Sequence, residues 1–233
     1  MVAQDVIPVD FSTGGPRGLR SFIVTGDRLF LVDTGIPGSA PAILAALAEA
    51  NIEPAEIALI VITHAHVDHA GSADELQRAT GAPILAHPLD AAALASGSSE
   101  PVVGRTPAAQ AFAEQIAARR ADAPPGPAYA PVNATATGDD GADLQADYGI
   151  DARVIHTPGH TRGGLTVVLG NGEALVGDLI DRVNDAPSLA GFAVDETAMA
   201  ASIARVLALD PPAVHTCHGG SFDRAEMLAA FGS

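Results

Sequence analysis

The sequence of 233 residues has no lysine, no tryptophan, one cysteine and few aromatic residues (4%). The single cysteine, Cys217, excludes an internal disulfide. Twelve arginines stand against 28 acidic residues, so the formal net charge is −16. This balance argues against binding to nucleic acid or anionic lipid, because both need clustered basic residues. It also disfavours a strongly anionic substrate, although a metal site would offset the charge locally.

Long apolar runs are absent as well, so no membrane-spanning segment is expected. The first ten residues, MVAQDVIPVD, lack the basic and apolar regions of a signal peptide. We therefore expect a cytoplasmic protein with a small-molecule substrate and neither a nucleic-acid nor a membrane partner. Because the length suits one large domain and 48% of the residues are hydrophobic, we predict a single domain over residues 1–233.

Apolar runs and turn residues predict alternating strands and helices. The predicted strands are 19–24, 28–33, 56–63, 83–87, 152–157, 165–170, 173–180 and 213–218. The predicted helices are 39–51, 71–81, 107–120, 194–209 and 222–231. Ser72 and Glu75 fit a capping box for the second helix. Strands followed by helix, strand and helix in each half favour an α/β (α+β) fold with two sheets face to face and helices outside.

Two segments have no such pattern. Residues 96–145 are rich in proline, glycine and serine around one predicted helix, and we interpret them as a variable excursion that covers the substrate site. Residues 181–193 are predicted to form a loop.

Seven possible metal ligands lie at or shortly after the ends of predicted strands, where a fixed backbone can aim a side chain. They occur in THAHVDH, TPGHT, GD and CHGG, and are His64, His66, Asp68, His69, His160, Asp178 and His218. Five imidazoles and two carboxylates exceed what one four-coordinate zinc uses. The set suits two neighbouring ions that share one ligand and each keep an open position.

The motifs resemble those of the metallo-β-lactamase-fold hydrolases, in a glyoxalase-II-like and lactonase-like combination. THAHVDH matches the HxHxDH signature, TPGHT the second histidine motif, GD the bridging aspartate and HGG the last histidine motif. LVDTG, residues 31–35, resembles the early Asp-Thr-Gly segment. The resemblance runs from about residue 19 to the C-terminus and is weakest across 96–145. It implies a four-layered αβ/βα sandwich with metals at one edge of the two sheets.

The resemblance also implies roles for the donors. His64, His66 and His160 would hold the first metal. Asp68, His69 and His218 would hold the second, and Asp178 would bridge the two. Asp68 and Asp178 are the expected catalytic residues. The implied activity is that of a dinuclear hydrolase with two Zn²⁺, which cleaves a small ester-like substrate such as a thioester or lactone through a hydroxide that bridges the metals.

An alternative from another class stays open at this point. Some similar proteins are oxygenases that hold one Fe²⁺ through two histidines and an aspartate and oxidise persulfides. Iron and zinc both accept imidazole and carboxylate ligands, so the sequence separates the two activities poorly. A nuclease of this fold is disfavoured by the charge of −16. A homodimer is a family-level expectation.

Further residues have two interpretations each. Asp33 either orients a metal ligand or is a turn aspartate before Gly35. Arg162 either reaches a substrate carboxylate or is solvated. Tyr129 lies in the 96–145 excursion, where a side chain that faces the site is the less favoured interpretation. Structural roles away from the metals are favoured for one cysteine and three histidines: Cys217, His87, His156 and His215.

Overall fold

The computed structural model describes residues 2–11, 18–123 and 125–232. Within these ranges the chain forms thirteen strands and eight α-helices. The strands are β1 (Val6–Phe11), β2 (Leu19–Val24), β3 (Leu29–Val32), β4 (Ile57–Val61), β5 (Ile84–Ala86), β6 (Ala136–Thr137), β7 (Ala152–His156), β8 (Leu165–Leu169), β9 (Ala174–Leu175), β10 (Ile180–Val183), β11 (Ala186–Leu189), β12 (Ala213–Thr216) and β13 (Gly220–Asp223). The helices are α1 (Ala40–Glu49), α2 (Val67–Ala70), α3 (Ala73–Thr80), α4 (Ala91–Ser96), α5 (Pro107–Ala121), α6 (Leu144–Tyr148), α7 (Glu196–Leu207) and α8 (Arg224–Phe231).

The strands form two main sheets. The first has the order β1-β2-β3-β4-β5-β6, antiparallel up to β3 and parallel from β3 onward. The second has the order β13-β12-β9-β8-β7. In it β12 and β9 run parallel, and β8 is antiparallel to both of its neighbours. Strands β7, β9 and β12 therefore end at the same edge of the second sheet.

Side-chain alternation along these strands builds three layers of core. On β4, Leu59 and Val61 pack between the two sheets, whereas Ile60 packs under the helices of the first half. On β8, Val167 packs between the sheets and Val168 packs against the layer of α7 and α8. Both faces of these strands are buried, which explains their continuous apolar sequences. The predicted four-layered αβ/βα sandwich is confirmed.

Several element predictions are wrong in detail. Strands β1 and β13 were not predicted, and the predicted strand 173–180 is interrupted at Gly177, whose φ is +55°. Part of the predicted loop 181–193 belongs to a hairpin of β10 and β11. Its turn residues Asn184 and Asp185 have φ values of 50° and 60°, as in the two-residue turns that match strand twist. Pro187 lies inside β11, and proline argues against a strand in sequence.

The predicted capping box of Ser72 and Glu75 is also wrong. Helix α3 follows Ser72, but the serine side chain makes no capping hydrogen bond to it. The Ser72 hydroxyl instead accepts hydrogen bonds from the backbone N–H groups of Ser39 and Ala40, at 2.9 and 3.3 Å. It thus caps the preceding helix α1 from a distance of about thirty residues in sequence, a partner that a local pattern does not reveal.

The 96–145 excursion is connected to the main fold rather than separate from it. Its strand β6 extends the first sheet beside β5, while its helix α5 is mostly exposed. Among the helices of the described ranges, none combines the length and the apolar character that a bilayer crossing needs.

Candidate metal centre

The fold brings all seven predicted donors together at one edge of the sandwich. The segment after β4 carries His64 and His66, and the one-turn helix α2 that follows carries Asp68 and His69. The other three donors follow strands of the second sheet that end at one edge: His160 after β7, Asp178 after β9 and His218 after β12. The donors therefore come from both sheets, which places the cluster where the two sheets meet.

Three histidines form a first group, which we call the histidine trio: His64, His66 and His160. One nitrogen from each lies within 4.8 Å of the others. The shortest contact, 3.0 Å, joins His66 Nδ1 and His160 Nε2. His160 Nδ1 donates to the Phe192 carbonyl at 2.9 Å. Because a carbonyl only accepts, this bond fixes the tautomer of neutral His160, so that its Nε2 carries no hydrogen and faces His66 inside the cluster.

A second group, the mixed trio, consists of Asp68, His69 and His218, whose donor atoms also lie within 4.8 Å of one another. His218 Nε2 is 3.1 Å from Asp68 Oδ2, and His218 Nδ1 donates to the Gly18 carbonyl at 2.9 Å. As in His160, the backbone carbonyl fixes the imidazole so that Nε2 faces the cluster.

Asp178 lies between the two trios. Its Oδ1 is 3.3 Å from His69 Nε2, and its Oδ2 is 3.6 Å from His160 Nε2 and 3.5 Å from His218 Nε2. One carboxylate is thus within reach of ligand atoms from both groups, which is the geometry that a bridging ligand requires.

The donor set fits divalent metal ions. Two ligands that bind one tetrahedral zinc at the usual bond lengths are about 3.4 Å apart, close to the contacts seen here. Buried polar atoms are normally hydrogen-bonded. In the described part of the chain, four atoms of the cluster are buried without such a partner: His64 Nε2, His66 Nε2, His69 Nε2 and Asp178 Oδ1. Neutral imidazole and carboxylate are ligands of zinc and of iron.

Asp33 supports the mixed trio from behind. It is buried, and its backbone has a φ of +60°, which is uncommon for a residue other than glycine. Its Oδ1 accepts from the Thr63 N–H at 2.7 Å, and its Oδ2 lies 2.8 Å from His69 Nδ1. The Thr63 hydroxyl donates to the same Oδ2 at 2.7 Å. Of the two interpretations of Asp33, the structure places it where it orients a predicted ligand.

Two glycines directly before ligands meet steric demands. Gly177 precedes Asp178 with a φ of +55°, and a Cβ there would lie 2.8 Å from Thr63 Oγ1. Gly159 precedes His160 with a φ of +143°, and a Cβ there would lie 2.3 Å from the Cα of Met199 on α7. Both turns therefore need glycine to aim the following side chain.

Burial and mutual repulsion keep two members of the histidine trio, His64 and His66, uncharged. Burial lowers the pKa of His64 well below its usual value, and the neighbouring histidines His69 and His160 lower it further. Burial and His160 lower the pKa of His66 to about 3. Neutral imidazoles are the form that binds metal, so no proton has to leave these two side chains.

In the mixed trio, neighbouring carboxylates raise the histidine pKa values instead of leaving them lowered by burial. Burial alone would lower the pKa of His218, but Asp178 and Asp68 raise it to about 9. Burial likewise opposes charge on His69, yet Asp178 and Asp33 raise its pKa well above the usual value. Burial would raise the pKa of Asp178, but His218 and His69 hold it well below the usual value. Without metal, this side of the cluster is a network of ion pairs.

The cluster is open on the side of the mixed trio. The side chains of Asp68, His218 and Asp178 are 33%, 17% and 11% exposed, whereas that of His69 is fully buried. His64 and His66 are also buried. A substrate can therefore approach past Asp68 and His218.

The remaining candidates lie in different surroundings. The Arg162 side chain is exposed and pairs with Glu100 at 3.5 Å, so it does not extend into the cluster. His215 bonds Ser221 and Glu173, and thus points away from the donors as predicted. His87 stacks on His156 with ring centroids 4.0 Å apart.

Cys217 corrects one expectation. The sequence favours a structural role away from the metals for this residue, and its side chain is indeed buried in the core between the sheets. Its thiol, however, donates to Asp33 Oδ2 at 3.2 Å, directly beside the mixed trio. Strand alternation predicted only that it would not point the same way as His218.

Some supporting groups could not be found by searching for ligand-type side chains. Thr63 contacts Asp33, His64 and His69, and its only signal in the sequence is its place before the first histidine. Two other supports are the backbone carbonyls of Phe192 and Gly18. Any residue has a carbonyl, so sequence gives no signal for them.

Comparisons with known sequences and structures identify similar proteins. A family model, the metallo-beta-lactamase superfamily, matches residues 15–218. A metal-dependent hydrolase of Thermococcus onnurineus is 42% identical over 69 residues, which are 30% of this chain. The chain spans only 28% of the length of the curated relatives that it matches.

Solved structures match over most of the chain. The Rm3 metallo-beta-lactamase is 27% identical with a TM-score of 0.64, over 91% of this chain and 75% of that one. A protein crystallised in a di-iron-bound form is also 27% identical with a TM-score of 0.63, over 96% of this chain and 97% of that one. With its motifs, its layered sheets and the matched family model taken together, the chain belongs to the metallo-beta-lactamase superfamily.

Proposed function

We propose that the protein is a metal-dependent hydrolase that holds two zinc ions, one in each trio, with Asp178 between them. The observation that carries the proposal is the division of the seven donors into two groups of three plus one shared carboxylate. The relatives described as metal-dependent hydrolases support the reaction class. Four buried donor atoms without a hydrogen-bond partner, on His64, His66, His69 and Asp178, support metal binding by these side chains.

The chain's own residues have distinct tasks in this proposal. A bound metal pair would supply Lewis acidity, which makes water nucleophilic near neutral pH and polarises a substrate carbonyl. Asp178 fixes the spacing of the two trios. Asp68 is the most exposed donor, so its carboxylate can take a proton from the attacking water and return it to the leaving group. The carbonyls behind His160 and His218 keep the imidazoles in one tautomer.

We propose a small, uncharged ester-like substrate, such as a thioester or a lactone. A net charge of −16 disfavours polyanions at long range. The Arg162 guanidinium, the one side chain that the sequence suggested for binding a substrate carboxylate, is already paired with Glu100. An acyl carbonyl needs only the metal pair and a proton carrier, and the open side of the cluster supplies both in this proposal.

A mononuclear iron oxygenase that acts on persulfides is the second candidate. A similar structure carries two irons, which supports iron as an acceptable metal for this ligand arrangement. The donor atoms of the mixed trio, like those of the histidine trio, lie within 4.8 Å of one another, and this supports two ions rather than one.

Metal analysis of protein purified without chelators or a metal-binding tag tests the proposal. We expect about two zinc ions per chain and hydrolysis in a panel of thioesters and lactones. A variant with both His66→Ala and Asp68→Ala is the control for metal-independent hydrolysis. About one iron per chain, with oxygen uptake in the presence of persulfides, would replace the hydrolase with the oxygenase. A chain that takes up no metal would contradict both.

A further inference from the structure

The peptide of Ala65, between His64 and His66, is held on both sides by distant side chains. Its N–H donates to Asp90 Oδ2 at 3.0 Å, and its carbonyl lies 3.1 Å from the Tyr129 hydroxyl, which shares its one hydrogen between this carbonyl and that of Ser98 at 2.9 Å. Ala65, Asp90 and Tyr129 are all buried. The only residue between two ligands of the histidine trio thus has both backbone hydrogen-bonding groups occupied by side chains rather than by secondary structure.

Asp90 makes this contact in place of a more usual one. It occupies the N-cap position of α4, where an aspartate normally accepts hydrogen bonds from the first turn of its helix, but its side chain makes no capping bond. The carboxylate reaches Ala65 instead. It also packs against the loop that carries His160, since a Cβ on Gly163 would lie 2.4 Å from Asp90 Oδ1. Asp90 therefore lies between the two loops that supply the histidine trio.

Tyr129 and Glu100 attach the 96–145 excursion to the same two loops. The Tyr129 hydroxyl lies 2.9 Å from the Ser98 carbonyl as well as near Ala65, so it joins two parts of the excursion to the first loop. Glu100 Oε2 accepts from the Arg162 N–H at 3.1 Å, two residues beyond His160. The excursion consequently supports the centre from behind, in addition to any role in covering it.

We propose that Asp90 and Tyr129 clamp the backbone of Ala65, one at its N–H and the other at its carbonyl. They thereby set the metal affinity of the histidine trio, without binding the metal themselves. The inference rests on the proposed metal centre and assigns these two residues positioning roles within it. Outer partners that orient ligands typically contribute 10- to 100-fold in metal affinity. Neither residue contacts the mixed trio through a described hydrogen bond, so the effect should be confined to one site.

Two backgrounds separate the sites. Asp68→Ala leaves the histidine trio complete, and His66→Ala leaves the mixed trio complete. In each background we would measure zinc affinity by competition with a chromophoric chelator, with and without Tyr129→Phe or Asp90→Ala. We expect affinity to fall roughly tenfold or more in the Asp68→Ala background and to stay within about twofold in the His66→Ala background. Asp90→Asn, whose amide oxygen can still accept from Ala65, should restore most of the affinity.

Matched controls exclude general effects of the substitutions. Tyr148→Phe changes the chain's only other tyrosine, and Asp143→Ala removes an aspartate that caps its own helix α6. Neither should change zinc affinity in either background. Equal losses in both backgrounds, or no loss in the Asp68→Ala background, would overturn the clamp. Wild-type protein that binds no zinc would refute the proposed function itself, whereas wild type with two zincs and unaffected variants would refute the clamp alone.

Discussion

The histidine trio and the mixed trio lie side by side but differ in chemistry. The first contains only imidazoles, two of them buried with lowered pKa values. The second contains a carboxylate, is partly exposed, and has histidines whose pKa values are raised by Asp178 and its neighbours. In the proposed dinuclear centre, the histidine trio would therefore provide permanent ligation. The mixed trio would be the side that contacts solvent and substrate.

The aspartates behind the two trios differ in the same way. Asp90 holds the histidine trio through a backbone N–H, whereas Asp33 holds the mixed trio through the imidazole of His69. A backbone clamp fixes where two ligands are placed, while a contact to the ring also stabilises its charge. Each of the following predictions would break or sharpen this comparison.

The largest effect is expected from Asp178→Ala, because this side chain is near both trios. We expect loss of the metal pair and a fall in hydrolysis well beyond the roughly 100-fold typical of outer partners. Elemental analysis and the thioester and lactone assays check it, with Asp143→Ala as a control. Two retained metals and full activity would show that Asp178 is not shared.

Single-ligand variants should remove one metal each. His66→Ala disrupts the histidine trio and Asp68→Ala the mixed trio, so we expect about one zinc per chain in either variant and strongly reduced hydrolysis in both. Metal content by elemental analysis is the measurement. If either variant lost both ions together, the two trios would have to be treated as one cooperative site.

Asp90 should make stability depend on pH. Burial raises the pKa of Asp90 from 3.8 to about 6, with Glu100 as a further cause. The folded protein then keeps the proton more tightly than the unfolded chain, so this group's contribution to the free energy of unfolding falls as pH rises from about 4 to 6. The change is on the order of 3 kcal/mol.

Denaturant unfolding of wild type and Asp90→Asn across pH 4 to 7 isolates the contribution of Asp90 ionisation to the free energy of unfolding. We expect the difference in unfolding free energy, wild type minus Asp90→Asn, to decrease as the pH rises through this interval. A difference independent of pH would show that Asp90 ionises normally.

Asp33→Asn should weaken the mixed trio. Asparagine tolerates a positive φ, so the backbone at +60° is kept while the negative charge near His69 is removed. We expect zinc affinity to fall 10- to 100-fold in the His66→Ala background. In the Asp68→Ala background the fall should be smaller, and equal losses would place Asp33 behind both trios.

Cys217→Ala should have the smallest effect. Its thiol is a weak donor at 3.2 Å from Asp33, which has three other donors around it. We expect a loss of about 1 kcal/mol in unfolding free energy and little change in metal content. A lost zinc ion would instead make the thiol a ligand.

Most of the fold could be predicted because the local sequence pattern of most segments matches the place that they take in the tertiary structure. The apolar run that became β4 was predicted as a buried strand, and the αβ/βα layers followed from the family motifs. The errors occur where the two diverge. The hairpin of β10 and β11 contains a proline, and Ser72 caps a helix other than its own. Such partners are chosen by packing, which a local window does not contain.

The sequence by itself determined the predicted donors, seven histidines and aspartates in four motifs, because metal ligands must be particular side chains at particular chain positions. The pattern of strands and helices predicted two sheets face to face, and the family resemblance implied that the four motifs meet at one edge of them. Only the tertiary structure decided what stands behind each ligand. Asp33, Asp90, Tyr129 and two backbone carbonyls act through contacts between residues far apart in sequence. Hydrogen bonds of this kind depend on position in space, and any residue can supply a backbone carbonyl.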